Sequence, residues 1–161
     1  MLELITEIEI HAAPQRVWST LTDFPSYPLW NPFITAIEGE PVAGSRLKVS
    51  IRPPGGKAMS FRPTVRIVAP NEELRWRGRL VLPGVFDGEH FFRLCATGDG
   101  GVRLVHGERF SGLLVGWAQS GLETGVRAGF VAMNQALKAR AENSAEAEIL
   151  AARTTPPSAT P

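Results

Sequence analysis

Between Ser45 and Phe110 the chain reads in twos, and from Leu113 to Glu142 it reads in threes and fours. Ser45–Arg52 sets Leu47, Val49 and Ile51 against Arg46, Lys48, Ser50 and Arg52. Glu73–Leu80 sets Leu74, Trp76, Gly78 and Leu80 against three arginines, and Phe61–Val68, Val85–Cys95 and Val102–Phe110 continue the strand text. Turn residues punctuate these runs, namely Pro53–Gly56 (PPGG) and the glycine-rich connection Thr97–Gly101 (TGDGG). Alternation broken by tight turns specifies an antiparallel sheet with one apolar and one solvated face. After it, Leu122, Val126, Phe130 (or Gly129), Met133 and Leu137 recur at helical spacing with no proline from Leu113 to Glu142. That pattern predicts one amphipathic helix of about 25–30 residues. A sheet with an apolar face must cover it, and this helix is the only element long enough to do so.

The N-terminal third completes the order. Leu4, Thr6, Ile8 and Ile10 alternate with Glu3, Ile5, Glu7 and Glu9, predicting a first strand over Glu3–His11. Pro14 suits a first helical turn, and Val17, Trp18 and Leu21 follow at helical spacing. Three prolines within Phe24–Pro32 leave room only for short helical turns. The predicted architecture is α+β: a curved, seven-stranded antiparallel sheet wrapped around a long C-terminal helix. One domain over residues 1–142 follows, with 143–161 as a tail, disordered or undocked, in which Ser144–Arg153 has helical composition.

Composition narrows the classes of function. The chain has 161 residues, 43% of them hydrophobic and 20% charged, with a net charge of +1. That balance points neither to nucleic acid nor to an anionic membrane surface. No apolar run approaches the roughly 20 residues of a membrane span, and Met1–Ile10 carries no basic residue of a signal peptide. A soluble, cytoplasmic protein without membrane insertion is expected. The single cysteine, Cys95, excludes an internal disulfide, and the three histidines are too dispersed for a metal constellation. No nucleophile elbow, phosphate loop or dinucleotide fingerprint is present, so no metal and no cofactor is expected.

Ionisable residues on the inward face carry the chemistry. Pairing the strands around Thr97–Gly101 so that partner numbers sum to 198 puts Leu94 opposite Leu104, Phe92 opposite His106, and His90 opposite Glu108. Any even sum keeps all six on one face. A buried imidazole and carboxylate are expected to pair. His90, His106 and Glu108 are therefore read three ways: a satisfied polar group holding strand register, a reader of a ligand's polar end, or an acid/base couple. Gly121, Gly125 and Gly129 form a stripe on the helix that either admits the sheet closely or leaves space beside it. The aromatics Trp30, Phe61, Trp76, Phe92 and Phe130 suit a core or a pocket wall equally. Arg62, Arg66, Arg75, Arg77, Arg79, Arg93, Arg103 and Arg109 fall on the outer face, interleaved with Glu73 and Glu89, as in a solvated row.

Several segments resemble one superfamily. They are Tyr27-Pro28-Leu29-Trp30-Asn31-Pro32-Phe33, Leu74-x-Trp76-x-Gly78, Gly88-Glu89-His90-Phe91-Phe92-Arg93-Leu94, Glu108-Arg109-Phe110-Ser111-Gly112, and the helix text Gly129–Lys138. Taken in order, these are similar to the START/Bet v 1-like (SRPBCC, polyketide cyclase-like) superfamily, over residues 3 to 142. The resemblance implies a helix-grip fold with a cavity between sheet and helix for a lipid, sterol, polyketide or other small hydrophobic molecule. Ligand-binding candidates are Trp30, Phe61, Trp76, His90, Phe92, His106, Glu108, Leu122, Val126 and Phe130. If the protein is an enzyme, His90, His106 and Glu108 are the catalytic candidates, for cyclase/dehydratase chemistry. A third expectation is a protein-interaction module like the Hsp90-activator relatives, using the arginine face or the tail. Nothing in the sequence sets an oligomeric state.

Overall fold

The computed structural model describes residues 1–80, 86–112 and 122–154, with side chains described except at 80, 86, 122–123 and 144–154. In chain order the elements are β1 (Leu2–Ile10), α1 (Pro14–Thr22), a 3-10 turn (Phe24–Ser26), α2 (Tyr27–Trp30), β2 (Ile34–Glu38), β3 (Lys48–Ile51), β4 (Met59–Phe61), β5 (Thr64–Ala69), β6 (Glu73–Leu80), β7 (Phe86–Ala96) and β8 (Val102–Ser111). A π-helical turn, Leu122–Val126, then leads into α3, Arg127–Thr154.

The strands form two sheets. A five-stranded antiparallel sheet runs β1-β8-β7-β6-β5, and a separate three-stranded sheet runs β2-β3-β4. This corrects the expected single sheet of seven strands. The break lies at Pro63, within the run read as one strand over Phe61–Val68. Proline has no N–H for a ladder, and the chain changes sheets there. The carbonyl of Pro63 instead accepts the Leu47 N–H at 2.9 Å, and the bridge Arg46–Thr64 stitches the sheets together. Just beyond, a register shift between Val65 and Ile67 puts Arg66 in a bulge and turns Ile67 to the outer face opposite Arg75.

The helix closes over the inner face. α3 packs along β1 and α1, with further contact to β8. Its stripe of Phe130, Met133, Leu137 and Ala141 is fully buried. Gly129 sits directly against the Phe33 ring, so a side chain there would overlap it. Close approach therefore explains this glycine. Gly125 has an ordinary distance of 3.8 Å to Pro53, and Gly121 lies outside the described residues. α3 runs on past Glu142 and stays helical to Thr154. Residues 141–153 contain no glycine or proline and are rich in alanine and glutamate, so nothing local stops the helix. Within it Lys138 holds Glu142 one turn on.

The helix also guards the sheet's open edge. Arg127 Nη1 donates to the Ile5 carbonyl at 3.0 Å and Lys138 Nζ to the Glu9 carbonyl at 2.8 Å. The His11 N–H donates to Glu142 Oε1 at 2.7 Å. β1, the terminal strand, is thus tied to α3 by side chains as well as by the buried Leu4 and Ile10.

Candidate functional site

β7 and β8 pair in the register set by the short hairpin: Leu94 opposite Leu104, Phe92 opposite His106, His90 opposite Glu108. Thr97 and Gly101 close that hairpin, with Gly100 at φ 85° supplying the left-handed residue. All these side chains point inward, and His90 and His106 are 5% and 0% exposed.

Around them is a packed set of rings. The Trp76 and His90 planes lie 2° apart with centroids at 5.0 Å, and His106 stacks on Phe130 at 4.1 Å. Phe92 contacts Trp76, His90 and His106. The structure thus brings together Trp76, His90, Phe92, His106, Glu108 and Phe130. Trp30 is linked to this set only through Tyr27 and Phe24 among the described ring contacts, and donates its Nε1–H to Ser26. Phe61 reaches the backbone of Gly78 and lines a hollow of about 290 Å³ with Lys48, Ser60 and Arg62. Val126 packs partly buried against the core. The Leu122 side chain lies outside the described residues.

A continuous chain of polar groups crosses the rings. Glu108 Oε2 is 3.3 Å from His90 Nδ1, and His90 Nε2 is 3.0 Å from His106 Nε2. His106 Nδ1 is 2.7 Å from Asn134 Oδ1. Asn134 Nδ2 donates to Thr6 Oγ1 at 3.0 Å, and Thr6 Oγ1 donates to the His106 carbonyl at 3.1 Å. Five side chains from β1, β7, β8 and α3 form this unit. Gly88 serves it by omission, because the Glu108 carboxyl occupies the space its side chain would need.

Neither Asn134 nor Thr6 stands among the candidates drawn from sequence. Asn134 had a signal: it lies four residues after Phe130 and three before Leu137, a polar group on the apolar stripe. Thr6 occupies the inward phase of β1, the one hydroxyl among Leu4, Ile8 and Ile10.

Burial controls the electrostatics. Desolvation pushes Glu108 up to about 8 and His90 down to about 3. It also holds His106 well below the ordinary imidazole value, with the neighbouring His90 adding to the fall. Glu108 is the more accessible end, its side chain 17% exposed against 6% for His90. The site is a carboxylic acid backed by two neutral imidazoles, a group able to exchange one proton near neutrality. Among the described residues no cluster of histidine, cysteine and carboxylates could hold a metal ion.

Residues 1–142 match the family described as polyketide cyclase / dehydrase and lipid transport. The chain belongs to this family. Solved structures agree on the cyclase/dehydrase fold. The Zhui aromatase/cyclase from a Streptomyces species superposes with a TM-score of 0.74 at 19% identity, covering 89% of this chain and 95% of that one. A START superfamily protein from Mycobacterium smegmatis gives 0.69 at 20% identity, covering 88% and 98%. A norcoclaurine synthase from Thalictrum flavum gives 0.69 at 14% identity, covering 89% and 95%. No curated protein matches the sequence. No helix among the described residues is long and apolar enough to cross a membrane.

The outer face of this cyclase/dehydrase fold is mostly self-neutralised. Arg75 pairs with Glu73 and Glu89, Arg93 with Glu73, Arg77 with Asp87, Arg103 with Glu7 and Arg109 with Glu3. The ion pairs fit a solvated row better than a docking face for an anionic partner.

Proposed function

We propose that the protein binds one small hydrophobic molecule, lipid, sterol or polyketide-like, in a cavity between the sheet and α3, with the molecule's polar end at Glu108. One observation carries this: a fully connected polar chain is sunk among aromatic rings, and its one partly accessible end is a carboxyl group. A buried polar network is a poor way to gain stability, since well-packed apolar residues do as well or better. Gly78 and Gly88, paired on neighbouring strands, carry no side chain of their own on the inner face; the Glu108 carboxyl takes the space at Gly88, and Phe61 and Pro63 lie against Gly78. The family match and the aromatic surroundings of the polar chain support the same reading. Residues 1–142 would form the working unit, with 143–161 dispensable to it.

The test is a thermal-shift panel of fatty acids, sterols and aromatic polyketides. A ligand present at a hundredfold excess over its Kd should stabilise by about 2.7 kcal/mol, raising Tm by about 5–10 °C for a chain of this size. The rise should shrink in Glu108→Ala. No shift across the panel overturns the reading.

A second reading is favoured by the elevated Glu108. A carboxyl titrating near neutrality suits an enzyme that dehydrates a polyketide-like substrate, protonating the departing hydroxyl as water leaves and taking back the proton lost from the adjacent carbon. Replacing Glu108 or His90 would then lower turnover much more than binding; an equal loss of both favours the carrier.

A further inference from the structure

The polar chain from Thr6 to Glu108 admits two arrangements of hydrogens, and they leave opposite groups facing the ligand. One of the two Nε2 atoms 3.0 Å apart must carry a hydrogen and the other a lone pair. Once that is settled, each neutral ring has its Nδ1 settled too.

In the first arrangement Thr6 gives its only hydroxyl hydrogen to the His106 carbonyl and so can only accept from Asn134. The amide of Asn134 then turns its oxygen to His106, whose Nδ1 must carry the hydrogen. His106 Nε2 is left as acceptor, His90 Nε2 donates to it, and His90 Nδ1 becomes an acceptor facing Glu108. Glu108 supplies the hydrogen there as a neutral acid. Every member is uncharged and each hydrogen is used once.

The reverse arrangement flips Asn134, withdraws the Thr6 hydrogen from the His106 carbonyl, and ends with His90 Nδ1 donating to Glu108, whose own hydrogen then sits on Oε1 as a donor or is lost. Losing it leaves a carboxylate among rings with no cation beside it among the described residues, and keeping it still costs the buried carbonyl its Thr6 partner, so this is the costlier direction. The effect of burial on Glu108 and His90 runs in the same sense as the first arrangement.

We infer that Thr6 and Asn134 are positioning residues that fix the direction of this hydrogen-bond chain, so that Glu108 spends its hydrogen on His90 and offers its Oε1 to a ligand as an acceptor. The ligand class follows, resting on the binding proposed above: an uncharged molecule whose buried end is a hydroxyl or phenol, not a carboxylate and not a carbonyl alone. The rings packed around this chain, Trp76 and Phe92 among them, make its surroundings aromatic, which favours an aromatic alcohol.

The direction is read without any ligand from the ring-nitrogen shifts of histidine-labelled protein by NMR, with the exposed His11 as reference. The expected result is the Nδ1–H form for His106 and the Nε2–H form for His90 near neutral pH. In Thr6→Val both rings should become mixtures of the two forms, and Thr6→Ser should restore the single pattern. Finding His106 as Nε2–H with His90 as Nδ1–H in the unaltered protein overturns the inference, as does a Thr6→Val spectrum identical to the parent. The ligand class is tested separately with β-naphthol and its methyl ether by thermal shift. A larger rise with the alcohol supports the acceptor end. An equal or larger rise with the ether refutes it. No rise with either refutes an aromatic-alcohol site, while the NMR result stands on its own.

Discussion

Glu108 and His90 respond to burial in opposite directions, and stability must therefore fall on both sides of a mildly acidic optimum. The Glu108 carboxyl is raised from an ordinary 4.5 to about 8, so above pH 4.5 the folded protein holds a proton that the unfolded chain releases. Stability is then lost as pH rises through that window and levels off beyond about 8. His90, lowered from 6.5 to about 3, does the reverse: it must stay neutral when folded, and stability is lost as pH falls from 6.5. Urea titrations across pH 4–9 should show both limbs. Glu108→Gln keeps the shape and a donor for His90 and has nothing to ionise, so its alkaline limb should flatten, with a gain at pH 8 of a few kcal/mol on the order expected for a shift of this size. A second residue-scale outcome concerns Phe91, on the face expected to be solvated. It is 0% exposed, with the guanidinium groups of Arg75, Arg93 and Arg109 4.9–5.5 Å from its ring centre and Gly107 leaving space beneath it. Phe91→Ala should cost about 3–5 kcal/mol in chemical denaturation, a core-sized loss from an outer-face position. Alternation with the inward His90 and Phe92 puts Phe91 on that face. Its burial was not legible, because it depends on a glycine one strand away and on arginines from three strands.

Among the elements, α3 brings Gly129 directly against the Phe33 ring, just ahead of β2. Alanine there would gain about 1 kcal/mol of helix propensity. It would also push a methyl group into the Phe33 ring, which is itself 2% exposed and set edge-on to Phe130 at 5.6 Å. Overpacking should win, with a net loss of about 1–3 kcal/mol by urea melt. Phe33→Leu combined with Gly129→Ala should recover part of it, a non-additivity expected of touching residues. The sequence left this glycine open between packing and space, since spacing alone does not say what lies opposite. The hairpin of β7 and β8 was readable because a five-residue turn of threonine, aspartate and glycines leaves few registers. The division of the sheets was harder. Pro63 sits inside an otherwise continuous strand pattern, and its effect comes from what Leu47 and Thr64 do around it. Helix text past Glu142 was legible in composition, in a stretch without glycine or proline.

For the molecule as a whole, the site needs contributions far apart in the chain: Thr6 from the first strand, His90, His106 and Glu108 from the central hairpin, Asn134 from the last helix. Such an assembly forms only when the complete domain has closed, which is why the sequence displayed its central members and concealed the outer two. The family match ends at residue 142. A chain cut after Asn143 should keep its Tm within a few degrees and retain the thermal shift given by any ligand of the full protein; loss of the shift would make the remaining helix part of the site. The side chains of Arg127 and Lys138 have a different reach. By occupying the Ile5 and Glu9 carbonyls they use up the acceptors that an incoming strand would need. A second molecule trying to extend the sheet would have to evict two cations first, and removing both by alanine substitution should expose the protein to concentration-dependent growth of strand-paired aggregates visible by light scattering. The same helix that roofs the interior thereby keeps neighbouring molecules from zipping together.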